Sequence, residues 1–356
     1  LNFWNNNSCV RRFCGCSIDI CFILNIYMLI NKTFFQVILI LLPSFIANYF
    51  TLTFLDHDKN LSNFSTSLVI SFNLVNFFLA YIFYKTSFKV MIFFSIYCLV
   101  IVIVLDLLSG KILNSTSIIK DDSKLGWVLR KNKKDVVFNQ QTFKGKKYKV
   151  NFSTTEFEGI REFGKLNDNK RIVVLGDSYT AGPYSSNNKM YYSYIQNAFK
   201  KNAKNFEWFV LGGSGYGTIQ QYLLLKKYYN LINPDIILHQ FCLNDFFDNN
   251  INISKLSTTQ SQYYRRPYYD NGNIKQLDGI TPKIYRFFYK NSFIFKKLDQ
   301  IYTYKKIVKY GRFTEVISDK LMKESIEITS FFINKIRELI GPNTLYISTN
   351  CADEKR

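Results

Sequence analysis

The sequence predicts an α/β domain built on a doubly wound parallel sheet and preceded by transmembrane helices. Two observations predict it. Three long apolar runs crowd into the first third of the chain, and short apolar strands alternate with helices from residue 171 onward. Strand–helix alternation at this spacing is typical of a parallel sheet with helices on both faces.

The apolar runs cover residues 34–55, about 68–84, and 90–108. Each has close to the ~20 residues that cross the hydrocarbon layer of a bilayer. Buried core helices are the alternative, but three such runs joined by short polar segments favour membrane helices. The second joint carries Lys85 and Lys89 whereas the first carries Asp56 and Asp58, and basic loops stay cytoplasmic. We therefore expect a multi-pass membrane protein whose domain after residue 110 lies on the extracytoplasmic (periplasmic) side.

The organisation along the chain follows from these patterns. The first methionine is Met28, so we expect residues 1–27 to be a non-native upstream segment. Residues 28–110 are predicted to be a membrane anchor with three transmembrane helices. Residues 111–170 are polar, basic and punctuated by glycine, which indicates a linker and an extension of the domain. Residues 171–356 are predicted to form the α/β domain.

Within that last domain, short β-branched runs bounded by glycine or proline are typical of buried parallel strands. We expect strands at residues 171–175, 208–211, 235–243 and 345–348, and helices at about 189–201, 219–231 and 318–340. A long insertion rich in Tyr, Asn and Lys follows the third strand, over roughly residues 246–311.

The net charge of +20 suits nucleic acid, anionic lipid or acidic polysaccharide as a partner. The lysines are scattered and no nucleic-acid-binding motif accompanies them, so we expect no nucleic-acid partner. Four of the seven cysteines fall in the first 21 residues. Cys14, Cys16 and Cys21 lack a second ligand cluster, which argues against a metal site. Because no cysteine framework spans the rest of the chain, we expect no disulfide core.

The chemically unusual residues follow three strands, and ligands of open α/β sheets bind beyond the carboxyl ends of the strands. GDSYTAG (residues 176–182) follows the first strand, GGSGYG (residues 212–217) follows the second, and Asn244-Asp245 follows the third. Taken singly, each has an ordinary structural explanation. Ser178 could be a helix N-cap, Gly215 a turn glycine, and Asn244 the start of a loop or a cap.

Taken together, the three motifs fit acyl transfer. A serine directly after a strand, at a helix N-terminus, presents its hydroxyl to the crevice, and its backbone N–H points where an oxyanion would form. Gly215 allows close approach of its own N–H, and the amide of Asn244 supplies a third donor. One such donor contributes about 3–4 kcal/mol of transition-state stabilisation. The sequence therefore predicts Ser178 as the nucleophile, and Ser178, Gly215 and Asn244 as the oxyanion hole.

These motifs resemble the first three of the four blocks of the SGNH (GDSL-type) hydrolase family. Ser178 takes the place of the nucleophile in the first block, Gly215 that of the glycine in the second, and Asn244 that of the asparagine in the third. The segments LGW (residues 125–127), EGIRE (158–162) and RRPYY (265–269) resemble a membrane-anchored bacterial branch of this family.

The resemblance implies a flavodoxin-like three-layer fold and a serine esterase. Such an enzyme acts on carboxylic esters through an acyl-enzyme, with no cofactor and no metal. The expected partners are the membrane and an ester substrate, such as an acylated polysaccharide or a lipid.

Two positions depart from the family pattern. Cys242 stands where the third block usually begins with glycine, and no histidine is placed to activate it as a catalytic cysteine. The Asp-x-x-His of the fourth block is missing, since the chain has only His57, in a predicted membrane loop, and His239, inside a predicted strand. We therefore expect the sequence to be truncated at its C-terminus, with the base and its aspartate beyond Arg356, and the printed fragment to be inactive.

Two alternatives to hydrolysis stay open. An O-acyltransferase that modifies a cell-surface polysaccharide would use the same nucleophile and oxyanion hole. An inactive glycan-binding module would explain the missing histidine.

Overall fold

The computed structural model describes residues 117–141, 147–183, 185–202 and 205–350, together with single residues and short stretches between 74 and 110. The chain divides into two compact units, Leu1–Leu107 and Leu108–Arg356. Most of the three predicted membrane spans lies outside the described residues. None of the helices within the described residues combines the length and apolar character that a bilayer crossing requires.

The second unit is built on a five-stranded sheet. Its strands are β5 (Ile160–Phe163), β6 (Lys170–Gly176), β7 (Phe206–Gly212), β8 (Ile236–Phe241) and β11 (Leu345–Asn350). They lie in the order β11-β8-β6-β7-β5. The four strands predicted from the sequence are thus confirmed, and they pair in parallel. The four parallel strands have the flavodoxin-like order, in which the chain reverses direction across the sheet between β6 and β8.

Helices cover both faces of this sheet because its strands alternate between two apolar surfaces. Val173, Leu175 and Phe209 pack with helices α3 (Thr218–Ile232) and α9 (Asp319–Ile340) on one face. Val174 and Trp208 pack with helix α2 (Tyr191–Lys201) on the other. The three predicted helices are therefore confirmed, and the domain has three layers.

The segment predicted as linker and extension contains five strands. Two antiparallel hairpins come first, formed by β1 (Ile119–Asp122) with β2 (Gly126–Leu129) and by β3 (Val136–Gln141) with β4 (Lys147–Phe152). β5 then joins the main sheet, antiparallel to β7. The expectation of a purely parallel sheet is wrong at this edge, and the sheet is mixed and mostly parallel.

The insertion after β8 is ordered into helices and one hairpin. Helix α4 (Asn244–Asn249) follows β8 directly, and the strands β9 (Pro267–Asp270) and β10 (Asn273–Gln276) pair antiparallel. The remaining helices are α5 (Ile251–Leu256), α6 (Gln260–Arg265), α7 (Ile280–Asn291) and α8 (Phe293–Tyr310). A one-turn helix α1 (Ser178–Ala181) and a short 3-10 helix (Asn187–Lys189) connect β6 to α2.

Candidate active site

Three strand ends meet at one edge of the sheet. β6 and β7 are in register up to the pair Gly176 and Gly212, and β8 aligns His239 with Leu175. Ser178, the turn of residues 212–217, and Asn244 therefore all begin at the same edge. Ser178 and Asn244 follow the two strands between which the strand order reverses, which is where open α/β sheets bind their ligands.

Ser178 is half-buried and opens the one-turn helix α1. The carboxylate of Asp177 caps this helix and accepts a hydrogen bond from the backbone N–H of Tyr179 at 3.0 Å. The Ser178 hydroxyl lies 3.5 Å from the Asp177 Oδ2. Because α1 has only four residues, its macrodipole is small, and the helix-terminus contribution expected from the sequence is reduced.

A buried arginine holds the chain just after Ser178. The guanidinium of Arg161, on β5, donates to the carbonyls of Ala181 and Gly182, and to the Ser185 carbonyl at 2.6 Å. Arg161 is only 2% exposed and stacks over the Phe152 ring at 4.4 Å. Strand β5, at the edge of the sheet, thus fixes the C-terminal end of α1 through Arg161.

Asn244 is brought next to Ser178 by a shared carboxylate. Its amide Nδ2 donates to the Asp177 Oδ2 at 3.3 Å and to the Asp248 Oδ2 at 3.2 Å. Ser178 and Asn244 thus contact the same Asp177 oxygen. An oxyanion that binds the Asn244 amide must replace one of these two carboxylates as its acceptor.

Gly215 joins this cluster through a buried arginine. Its carbonyl accepts from the Arg266 Nη2 at 2.6 Å, and the Arg266 Nη1 lies 2.6 Å from the Asp248 Oδ1. Arg266 therefore links the carbonyl of Gly215 to the carboxylate that holds Asn244. Gly215 has φ +72°, a conformation that favours glycine.

Close packing also explains glycine at the end of the same turn. A Cβ on Gly217 would lie 2.5 Å from the Asn249 Oδ1 and 3.1 Å from the Asp248 Cβ. The turn is therefore packed directly against helix α4, which carries Asn244.

Burial raises the pKa of Asp177, the acid at the centre of this cluster, and the nearby negative charge of Asp248 raises it further. The hydrogen bonds from Tyr179, Asn244 and Ser178 act in the opposite direction. Desolvation favours the neutral acid because a buried charge loses its hydration.

His239 is a core residue, as its position within a predicted strand indicated. It is fully buried, and its two ring nitrogens lie 2.5 Å from the Tyr346 hydroxyl and the Gln221 Oε1. Burial lowers its pKa to about 4. Gln221 also donates to the Asp245 Oδ2 at 2.9 Å, and the fully buried Asp245 has its pKa raised by desolvation. His239 is therefore engaged in a buried network and is not placed as a base for Ser178.

Cys242 is buried and disulfide-bonded, with its partner outside the described residues. The sequence did not predict this bond. It removes the thiol that a catalytic cysteine would need. His57 lies outside the described residues. Within the described part of the chain, no group of three His, Cys, Asp or Glu side chains is arranged to hold a metal ion.

No protein-family model and no curated protein matches this chain. Similar solved structures include the SGNH-hydrolase family esterase AlinE4 and two mutants of that esterase. Each is 14% identical to this chain with a TM-score of 0.21, and the match covers 48% of this chain and 98% of the other. Values this low carry no weight for function, so the case for a function rests on the residues at the strand ends.

Sequence reasoning missed four residues that organise the site: Asp177, Asp248, Arg161 and Arg266. Two of them had a local signal. Asp177 is the aspartate of GDS, and Asp248 lies four residues after Asn244 on a helix, a spacing that brings side chains together. The two arginines occur in EGIRE and RRPYY, but only their long-range contacts reveal what they bind.

Proposed function

We propose that this protein is a serine hydrolase of SGNH type that cleaves carboxylic esters with Ser178 as its nucleophile. One observation carries the proposal: Ser178 and Asn244 contact the same Asp177 oxygen at the reversal point of the sheet. A nucleophile and an oxyanion donor must lie beside the same reacting carbonyl. The Ser178 hydroxyl and the Asn244 amide are neighbours because both contact one carboxylate oxygen, which supports the proposal.

In the proposed reaction the Ser178 Oγ attacks the ester carbonyl carbon, and the carbonyl oxygen becomes an oxyanion. The N–H groups of Ser178 and Gly215 and the amide of Asn244 stabilise this charge. The tetrahedral intermediate collapses to an acyl-enzyme as the alcohol leaves with a proton. Water then attacks the acyl group, releases the acid and restores the serine hydroxyl.

The proton of Ser178 needs an acceptor, and His239 does not qualify because it is buried and already hydrogen-bonded. By its resemblance to the family, the base would be a histidine other than His239. The experiments below use the protein expressed from its complete gene.

The test is Ser178→Ala, assayed by hydrolysis of p-nitrophenyl acetate. Loss of the nucleophile should reduce turnover by a factor on the order of 10⁶, as in other serine hydrolases. Ser186→Ala is the matched control, because the Ser186 hydroxyl accepts a hydrogen bond from the backbone N–H of Asn151. Equal turnover by Ser178→Ala and the wild type would refute the role of Ser178.

O-acyl transfer to a polysaccharide would share the acyl-enzyme and differ only in the second acceptor. Adding a glycan acceptor to the assay separates the two reactions. Transfer diverts the acyl group from free acid to a new ester, whereas hydrolysis leaves the yield of acid unchanged. If the complete protein with an intact Ser178 cleaves no ester, the glycan-binding module becomes the better proposal.

We also propose that the domain lies outside the cytoplasm, held by the anchor predicted in residues 28–110. Lys85 and Lys89 in the second predicted joint support this orientation, because basic loops stay cytoplasmic. External protease added to spheroplasts should degrade the domain without lysis. Protection until the membrane is opened would contradict this topology.

A further inference from the structure

A cavity of 570 Å³ opens beside the turn that carries Gly215. Its walls come from the β1–β2 hairpin, helices α6, α7 and α8, and Ser214 of the turn. Five cationic side chains and one acidic side chain line it: Lys120, Arg130, Arg265, Lys290, Lys296 and Asp121. We call it the basic cavity.

The cations of the basic cavity are held close together. The Arg265 guanidinium pairs with Asp121 and stacks over the rings of Trp127 at 5.2 Å and Tyr289 at 4.6 Å. The Lys296 ammonium lies 5.7 Å from the centre of the Tyr289 ring. Partial burial lowers the pKa of Lys296, the negative charge of Asp121 raises it, and the positive charges of Arg265 and Arg130 lower it. A bound anion would add to the compensation that Asp121 gives these cations.

The basic cavity reaches the proposed active site at Gly215. Ser214 and Gln262 both line it, and the Gln262 Nε2 lies 2.9 Å from the position of a Cβ on Gly215. A molecule bound in the cavity would therefore lie beside the turn that carries Gly215.

The remaining lining suits a sugar better than a lipid chain. Ser261, Gln262 and Gln300 offer hydroxyl and amide groups, and Ile119 is the aliphatic side chain among the lining residues. Amide and hydroxyl groups match the hydroxyls of a carbohydrate as donors and acceptors. The volume falls within the range of ~300–1,000 Å³ that ligand sites occupy, which exceeds the need of one small ion.

We propose that the basic cavity binds the acidic sugar of the substrate, and that the substrate is an ester of an acidic oligosaccharide. The carboxylate or phosphate of the sugar contacts Lys290 and Lys296, while its hydroxyls contact the amides and serines. The claim that this sugar belongs to the substrate rests on the proposed function, but the binding of an acidic sugar does not.

The test measures binding by calorimetry to the complete protein carrying Ser178→Ala, so that turnover cannot interfere. The probes are trigalacturonate, which carries carboxylates, glucose 1-phosphate, which carries a phosphate, and the neutral maltotriose. We expect at least one acidic probe to bind, with an affinity that falls as salt rises, and maltotriose to bind far more weakly.

Lys296→Gln should weaken binding of the acidic probe about tenfold, the size expected for one charge-assisted hydrogen bond. Lys305→Gln is the matched control, since Lys305 is an exposed lysine on the same helix outside the cavity. If thermal unfolding shows that Lys296→Gln does not fold, Lys290→Gln replaces it, because Lys290 is exposed. Three results would overturn the proposal. Maltotriose binds as tightly as the acidic probes, neither acidic probe binds, or the lysine variant of the cavity (Lys296→Gln or Lys290→Gln) binds the acidic probe as tightly as Lys305→Gln does.

The two proposals fail separately. Lysine-dependent binding in a protein that cleaves no ester would leave the basic cavity as a sugar site and remove the esterase. Cleavage of p-nitrophenyl acetate without binding of either acid would do the reverse.

Discussion

Arg266 connects two of the proposed oxyanion donors, Gly215 and Asn244, through the carboxylate of Asp248. Replacing Arg266 by methionine tests whether these contacts position the donors. Its Nη1 bonds the Asp248 Oδ1 and its Nη2 bonds the Gly215 carbonyl, both at 2.6 Å. Asp248 in turn accepts from the Asn244 amide. Arg266→Met keeps most of the side-chain volume while removing both contacts.

The magnitude follows from burial. The side chains of Arg266 and Asp248 are 3% and 10% exposed, and leaving one member of a buried ion pair alone costs about 3–5 kcal/mol. Arg312 remains 3.6 Å from the same Asp248 oxygen, which compensates part of the charge. We therefore expect the free energy of unfolding to fall by about 3 kcal/mol, the low end of that range.

In Arg266→Met, kcat should fall further than the loss of folded protein alone explains. If Gly215 or Asn244 no longer donates to the oxyanion, kcat should drop by a factor of about 10²–10³ for each donor lost. Arg266→Lys separates the two effects, because an ammonium can neutralise Asp248 but cannot bridge to Gly215 as a planar guanidinium does. It should recover more stability than turnover.

The assay combines urea unfolding with p-nitrophenyl acetate kinetics on the complete protein. Arg312→Ala is the control, since half of its side chain is exposed and such pairs contribute about 0–1 kcal/mol. Unchanged kcat in folded Arg266→Met would refute the view that Arg266 positions the oxyanion donors. A loss of stability no larger than that of Arg312→Ala would refute the estimate of the buried pair.

Further predictions concern the turn and the buried network. Gly215→Ala should lose about 1–2 kcal/mol of stability, because an L-residue at positive φ is strained, and should also lose turnover. Gly272→Ala meets the same backbone strain, at φ +80° with open space around it, and should keep full turnover; equal turnover in both variants would count against a role for Gly215. In Asp245→Asn, the free energy of unfolding should fall by about 1.6 kcal/mol as pH drops from 6.5 to 5. The unfolded His239 takes up a proton in this range, whereas the folded His239 has a pKa of about 4 and stays neutral. His239→Gln should leave the opposite slope, with stability falling as pH rises. Burial raises the pKa of Asp245, so the folded state binds more protons than the unfolded state does. Urea titrations across this pH range measure both slopes, and slopes of the same sign would contradict the ionisation states assigned to the network.

Much of the domain was visible in the sequence because its signals are local. Runs of β-branched residues bounded by glycine or proline mark β6 to β8 and β11, and apolar periodicity marks α2, α3 and α9. Parallel strands end at one edge, so the motifs at Ser178, Gly215 and Asn244 could be assigned to one region before any contact was known. Strand β5 escaped this reasoning because its four residues include the buried Arg161, whose charge conceals a strand.

Tertiary structure alone decided how those motifs are joined. Arg266 contacts Asp248 from 18 residues away and Gly215 from 51 residues away, and Arg265 reaches Asp121 across 144 residues. The basic cavity likewise draws its cations from segments that are distant along the chain. Periodicity reports only neighbours within a few residues, whereas these pairings depend on how whole elements pack. The sequence by itself therefore determined the four parallel strands and the nucleophile candidate, and the fold determined what holds them in place.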